Sequence, residues 1–106
     1  MKLSTDKIQA EADPERGIGW LTFNQPERRN AVSREMWIAL DEAMRWFQQD
    51  EATRVVVLAG AGGQAFVSGA DISEFDRHNA SAAQSVDYKA LADRGNASLQ
   101  RFDKPL

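Results

Sequence analysis

Four consecutive apolar residues, Val55-Val56-Val57-Leu58, run into the glycine-rich stretch Gly60-Ala61-Gly62-Gly63. No other junction in the sequence constrains the fold as much. The run is too short for a helix and does not alternate. It predicts a strand buried on both faces, as in a parallel sheet layered with helices. Gly60, Gly62 and Gly63 end that strand with backbone freedom other residues lack. Phe66 and Val67 are then expected to re-enter the core. Ser68-Gly69-Ala70 carries almost no side-chain bulk, so a ligand can approach the main chain there. Asp71 follows as the cap of a short helical turn through Phe75. A backbone N–H at such a corner points outward with partial positive charge, which suits a developing oxyanion.

Upstream, Lys7–Ala12 alternates Ile8, Ala10 and Ala12 against Lys7, Gln9 and Glu11, the pattern of a half-buried strand. Asp13-Pro14-Glu15-Arg16-Gly17 reads as a turn. Ile18–Phe23 is a second strand rich in β-formers, so the two strands predict an antiparallel hairpin. Asn24–Ala31 is a loop holding the only adjacent basic pair, Arg28 and Arg29. By residue type alone that pair is a solvated turn feature. Ser33 N-caps a helix to about Gln49, with Glu35 in its first turn. Met36, Leu40, Ala43 and Phe47, with Trp37 and Met44 beside them, form a stripe expected to pack on the sheet. Asp41–Glu42 and Asp50–Glu51 are neighbouring carboxylates, but adjacent helical residues diverge, so neither is an acid–base pair.

Gly60–Ala65 satisfies a loose dinucleotide-binding pattern. That pattern must open a long helix, however, and the chain runs instead straight into Phe66-Val67-Ser68-Gly69. His78, the single histidine, lies in the polar stretch Asp76–Ala80 without a second metal ligand and reads as a loop residue. Ser81 and Gln84 fit a capping box for a helix to about Phe102, with Val86, Leu91, Leu99 and Phe102 inward. Gly95 weakens this helix midway. Pro105 favours an extended residue before it, as at a strand start.

The 106 residues make one domain at most. A net charge of −3 argues against broad binding to nucleic acid or anionic membrane. With no cysteine, disulfides and thiolate zinc sites are excluded. The N-terminus lacks an apolar signal region, and no apolar run approaches a membrane span. A soluble, cytoplasmic chain is expected.

Four stretches resemble one family, in order and at the expected spacing. They are Asn24–Met36 (NQPERRNAVSREM), Asp50–Gly60 (DEATRVVVLAG), Ala65–Phe75 (AFVSGADISEF) and Arg101–Leu106 (RFDKPL). Together they are similar to the N-terminal part of the enoyl-CoA hydratase/isomerase, or crotonase, family. The resemblance implies an α/β fold, a crotonase-like spiral of ββα repeats. Residues 1–106 would be the N-terminal portion of one such domain, with the C-terminal remainder absent. It implies an acyl-CoA substrate, no cofactor beyond the coenzyme A thioester, no metal, and a trimer or dimer of trimers. The main-chain N–H of Ala70 would be one oxyanion-hole donor. Arg28 and Arg29 would lie along coenzyme A, as would Ser68, Gly69, Asp71 and Ile72. Ser73 departs from the pattern, since many relatives carry lysine there.

The second donor and the proton-moving carboxylates of the family lie beyond Leu106. The simplest activity implied is hydration of trans-2-enoyl-CoA to 3-hydroxyacyl-CoA by the full-length protein, the 106 residues alone being inactive. Isomerisation, decarboxylation or dehalogenation on the same hole are alternatives. A non-catalytic acyl-CoA-binding or assembly module is another, should the chain end at residue 106.

Overall fold

The computed structural model describes residues 2–69 and 82–106. Strand β1 (Ile8–Asp13) and strand β2 (Ile18–Phe23) form the antiparallel hairpin, in a register from Ile8 opposite Phe23 to Asp13 opposite Ile18. The turn closes where the Gly17 N–H donates to the Asp13 carbonyl at 2.9 Å. Helix α1 (Arg34–Gln49) then crosses over to strand β3 (Val55–Gly60), which lies parallel to β2. The sheet order is β1-β2-β3. Helix α2 (Ala82–Arg101) packs against α1.

The start of α1 is where the sequence puts it. Ser33 is extended, its Oγ accepts from the Met36 N–H at 3.3 Å, and its own N–H donates to Met36 Sδ at 3.4 Å. These contacts satisfy two polar groups that a helix N-terminus otherwise leaves open. Met36, Ala39, Leu40, Ala43, Met44 and Phe47 are buried against Ile8, Ala10, Leu21, Phe23 and Val56. Each large side chain of that set contributes roughly 1.5–3 kcal/mol by leaving water. The far end of α1 is closed by a residue distant in sequence. Lys104 Nζ donates to the carbonyls of Phe47 and Asp50 at 2.6 and 2.7 Å, where the helix presents partial negative charge.

Four expectations need correction. Strand β3 is not buried on both faces: only Val56 is fully enclosed, while Val55, Val57 and Leu58 are half-buried. Helix α1 covers one face of the sheet and α2 stacks on α1, so Ile18, Trp20, Val55 and Val57 share the opposite, more open face. Ala12 does not continue the inward set of β1: it is exposed, opposite Gly19, which has no side chain to cover it. Trp37 faces α2 instead of the sheet, its Nε1–H donating to the Tyr88 hydroxyl at 2.9 Å. Gly95, read as a weak point of α2, is required there. A Cβ at Gly95 would lie 2.3 Å from Trp37 Cε3, so the missing side chain is what lets the two helices meet. The proposed cap residue Ser81 lies outside the described residues, as do His78 and the turn from Asp71 to Phe75.

At an ordinary helical site, glycine to alanine stabilises by about 0.5–1 kcal/mol. Gly95→Ala should reverse that sign, because the ring it meets is held by the Tyr88 hydrogen bond and cannot swing away. A net destabilisation of roughly 1–3 kcal/mol is expected in urea unfolding. A gain in stability would show that the helices do not cross this closely.

Candidate functional site

Parallel pairing decides where function can sit. Strands β2 and β3 end together, with Phe23 opposite Gly60, so the segments after them emerge at the same edge of the sheet. Ligands of open α/β sheets bind at such carboxyl ends.

After β2 the chain makes a single 3-10 turn, Pro26–Arg28, inside the stretch read as a plain loop. Arg29 and Asn30 follow in the left-handed region, with φ of 52° and 60°. Asn30 is completely buried. Its N–H donates to the Gln25 carbonyl and its Oδ1 accepts from the Gln25 N–H, both at 2.8 Å. Its Nδ2 donates across the gap to the carbonyls of Ala61 and Ala65, each at 2.9 Å. The Gln25 side chain, also buried, donates to the Ala31 carbonyl at 2.7 Å. The sequence holds no local hint that this network crosses to the second segment, because the carbonyls of Ala61 and Ala65 lie 31 and 35 positions from Asn30. A polar residue between two strands looks like solvent-facing loop until the second strand is placed beside it.

Further contacts hold the two segments together. The Val32 N–H donates to the Gly69 carbonyl at 2.8 Å, and Ser68 Oγ donates to the Arg28 carbonyl at 3.3 Å. The Tyr88 hydroxyl donates to the Val32 carbonyl at 2.6 Å, so α2 grips the same residue whose N–H holds Gly69. Phe66 does not re-enter the core as expected. It lies tilted on Phe23, 5.4 Å between ring centres, on the rim of the sheet with about half its surface open. Val67 does pack against the core. No helix follows the glycine stretch through residue 69, which removes the dinucleotide reading.

Of the sequence-derived site residues, Arg28, Arg29, Ser68 and Gly69 are brought to one edge, all four exposed. Ala70, Asp71 and Ile72 lie outside the described residues. Two surface concavities lie elsewhere. One, of about 340 Å³, lies between α1 and α2 beside Met44, Gln48, Ser98 and Phe102; the other, of about 520 Å³, follows residues 2–11. Arg28, Arg29, Ser68 and Gly69 line neither.

The sequence matches the family profile described as enoyl-CoA hydratase/isomerase over residues 13–106. The chain belongs to that family. It is 33% identical over 92 residues to a 1,2-epoxyphenylacetyl-CoA isomerase of Escherichia coli strain K12, covering 87% of this chain and 31% of that protein. It is 26% identical over 94 residues to a crotonyl-CoA hydratase of Syntrophomonas wolfei, covering 89% of this chain and 35% of the relative. A solved enoyl-CoA hydratase/carnithine racemase from Magnetospirillum magneticum superposes with a TM-score of 0.82 at 36% identity, over 97% of this chain and 38% of that one. An enoyl-CoA hydratase from Mycobacterium smegmatis gives 0.84 at 35%, over 95% and 38%. The crotonase chain described here thus spans about a third of the length of these relatives. Its hairpin, crossover helix and third strand are a partial crotonase fold.

Two glycines of the crotonase turn separate backbone strain from collision. Gly62 and Gly63 both have positive φ, 89° and 72°, but only at Gly62 would a Cβ meet Pro26, at 2.7 Å. Gly63→Ala should therefore cost about 1–2 kcal/mol for the left-handed backbone alone. Gly62→Ala should cost a further 1–3 kcal/mol or so, as the loops are pushed apart. Equal losses in chemical denaturation would mean that the Pro26 contact carries no weight.

Proposed function

We propose that this chain carries the acyl-CoA-binding part of a crotonase-type enzyme, most simply one that hydrates trans-2-enoyl-CoA to 3-hydroxyacyl-CoA. The observation that carries the reading is the convergence of Arg28 and Arg29 with Ser68 and Gly69 at one end of a parallel strand pair. In such a reaction the water oxygen bonds to the β-carbon as a base takes one of its protons, the C=C π bond breaks, and a proton is delivered to the α-carbon. Charge collects meanwhile on the thioester oxygen. The main-chain N–H of Ala70, next after Gly69, is the donor assigned to that oxygen. Ser68, Gly69, Asp71 and Ile72 border the coenzyme A channel, largely through main-chain atoms. The arginines meet its phosphates by charge-assisted hydrogen bonds. The base that activates water and the acid that protonates carbon are assigned to no residue of this chain.

The likeness to a 1,2-epoxyphenylacetyl-CoA isomerase supports a second reading, in which the same hole serves an isomerisation. The two readings share the thioester site and differ in the groups that move protons. A third, an acyl-CoA-binding module without catalysis, shares the site and lacks turnover.

Calorimetric titration with coenzyme A and crotonyl-CoA tests the common element. Replacing both arginines with alanine is expected to weaken coenzyme A binding by roughly tenfold or more, since charge-assisted hydrogen bonds are lost. Undiminished affinity would remove the phosphate assignment. Where the full-length protein turns over, Ala70→Pro should lower kcat by about 10²–10³ through loss of one oxyanion donor. Full activity in a folded variant would overturn that role.

A further inference from the structure

Asn30 stands out as a buried side chain whose hydrogen bonds all go to main-chain atoms of the two site-forming segments. A carboxamide nitrogen has two hydrogens, and here each is directed at a different carbonyl, Ala61 and Ala65. One nitrogen therefore closes both ends of the glycine turn. The oxygen faces the Gln25 N–H, and this fixes the orientation of the amide, since the flipped form would set oxygen against two carbonyls. The left-handed backbone at Asn30 is one that asparagine adopts more readily than most residues. Aspartate has the same shape but as a carboxylate has no hydrogens to give.

Building on the reading of the corner as an acyl-CoA site, we propose that Asn30 is a positioning residue. Its carboxamide sets the path of residues 61–69, and so the placement of the main chain that receives the thioester. It touches no ligand and acts through the turn. Four tethers then locate the segment: Asn30 on Ala61 and Ala65, the Ala61 N–H on the Phe23 carbonyl, Val32 on Gly69, and Ser68 on Arg28. Only the first is formed by a fully buried side chain.

The test compares Asn30→Asp and Asn30→Ser with Thr53→Ala, a variant expected to lose stability before the start of β3, at the other end of the sheet, where the buried Thr53 hydroxyl donates to the Asp50 carboxylate. Amide chemical shifts and hydrogen exchange of residues 61–69 report the turn without any ligand. Crotonyl-CoA titration reports the site. For Asn30→Asp the expectation is shifted and faster-exchanging amides across 61–69, with affinity weakened roughly tenfold or more. Thr53→Ala should leave affinity within about twofold, as independent sites do. Equal loss of affinity in the two variants, after allowing for their stabilities, would reduce Asn30 to a stability residue and overturn the proposal. Unchanged amides across 61–69 would also overturn it. So would failure of both Asn30 variants to fold, which would make the role global. If the unsubstituted chain binds neither coenzyme A nor crotonyl-CoA, the acyl-CoA reading falls, and the amide data alone decide whether Asn30 shapes the turn.

Discussion

Parallel pairing of β2 with β3 is the constraint from which the rest of the molecule follows. Parallel neighbours cannot be joined by a tight turn, so a crossover is obligatory, and α1 is that crossover. The helix must bury a face on the sheet it crosses, and Met36, Leu40, Ala43 and Phe47 provide one. The same pairing sends the chain out of both strands at one edge. Segments remote in sequence, 24–33 and 61–69, thereby become the two sides of one structure.

Once brought together, those segments pose a problem of polar satisfaction. Irregular backbone enclosed between a strand end and a helix start presents carbonyls that neither element can pair. Buried groups left unpaired cost about 1–3 kcal/mol each. Gln25, Asn30, Ser33 and Thr53, the buried polar side chains among the described residues, are placed where such groups occur. Thr53 hydrogen-bonds the Asp50 carboxylate just past α1, and Ser33 occupies the other end. Lys104 supplies the remaining donors at the helix terminus. Polar residues inside this fold are found at seams between elements, and the apolar core lies between α1 and the sheet.

What could be read beforehand followed the range of the interaction. The hairpin, the Ser33 cap, the extent of α1 and the end of β3 are each set by residues within a few positions of one another, and each is legible as such. Arg28, Arg29, Ser68 and Gly69 were legible as a set through family resemblance, and the fold places them on one edge. Two of the misreadings are long-range. Gly95 looks like a defect until Trp37 is set against it, and Asn30 looks like loop until Ala61 and Ala65 arrive. The apolar run of β3 signals burial on two faces, but a sequence pattern does not say which element supplies the second cover.

The Val56 N–H donates to the carbonyl of Pro105 at 2.9 Å, so a main-chain donor on the free side of β3 is taken up by residue 105. The two residues are 105 − 56 = 49 positions apart. A ribosome adding about 5–20 residues per second separates their appearance by roughly 2–10 s. Throughout that interval β3 offers nascent chains nearby an unclaimed row of main-chain donors and acceptors, next to an open apolar face. Exposed strand edges of this kind template wrong pairings. Vulnerability to misassembly during synthesis is therefore built into the order of the chain, and it ends when the segment around Pro105 reaches its place.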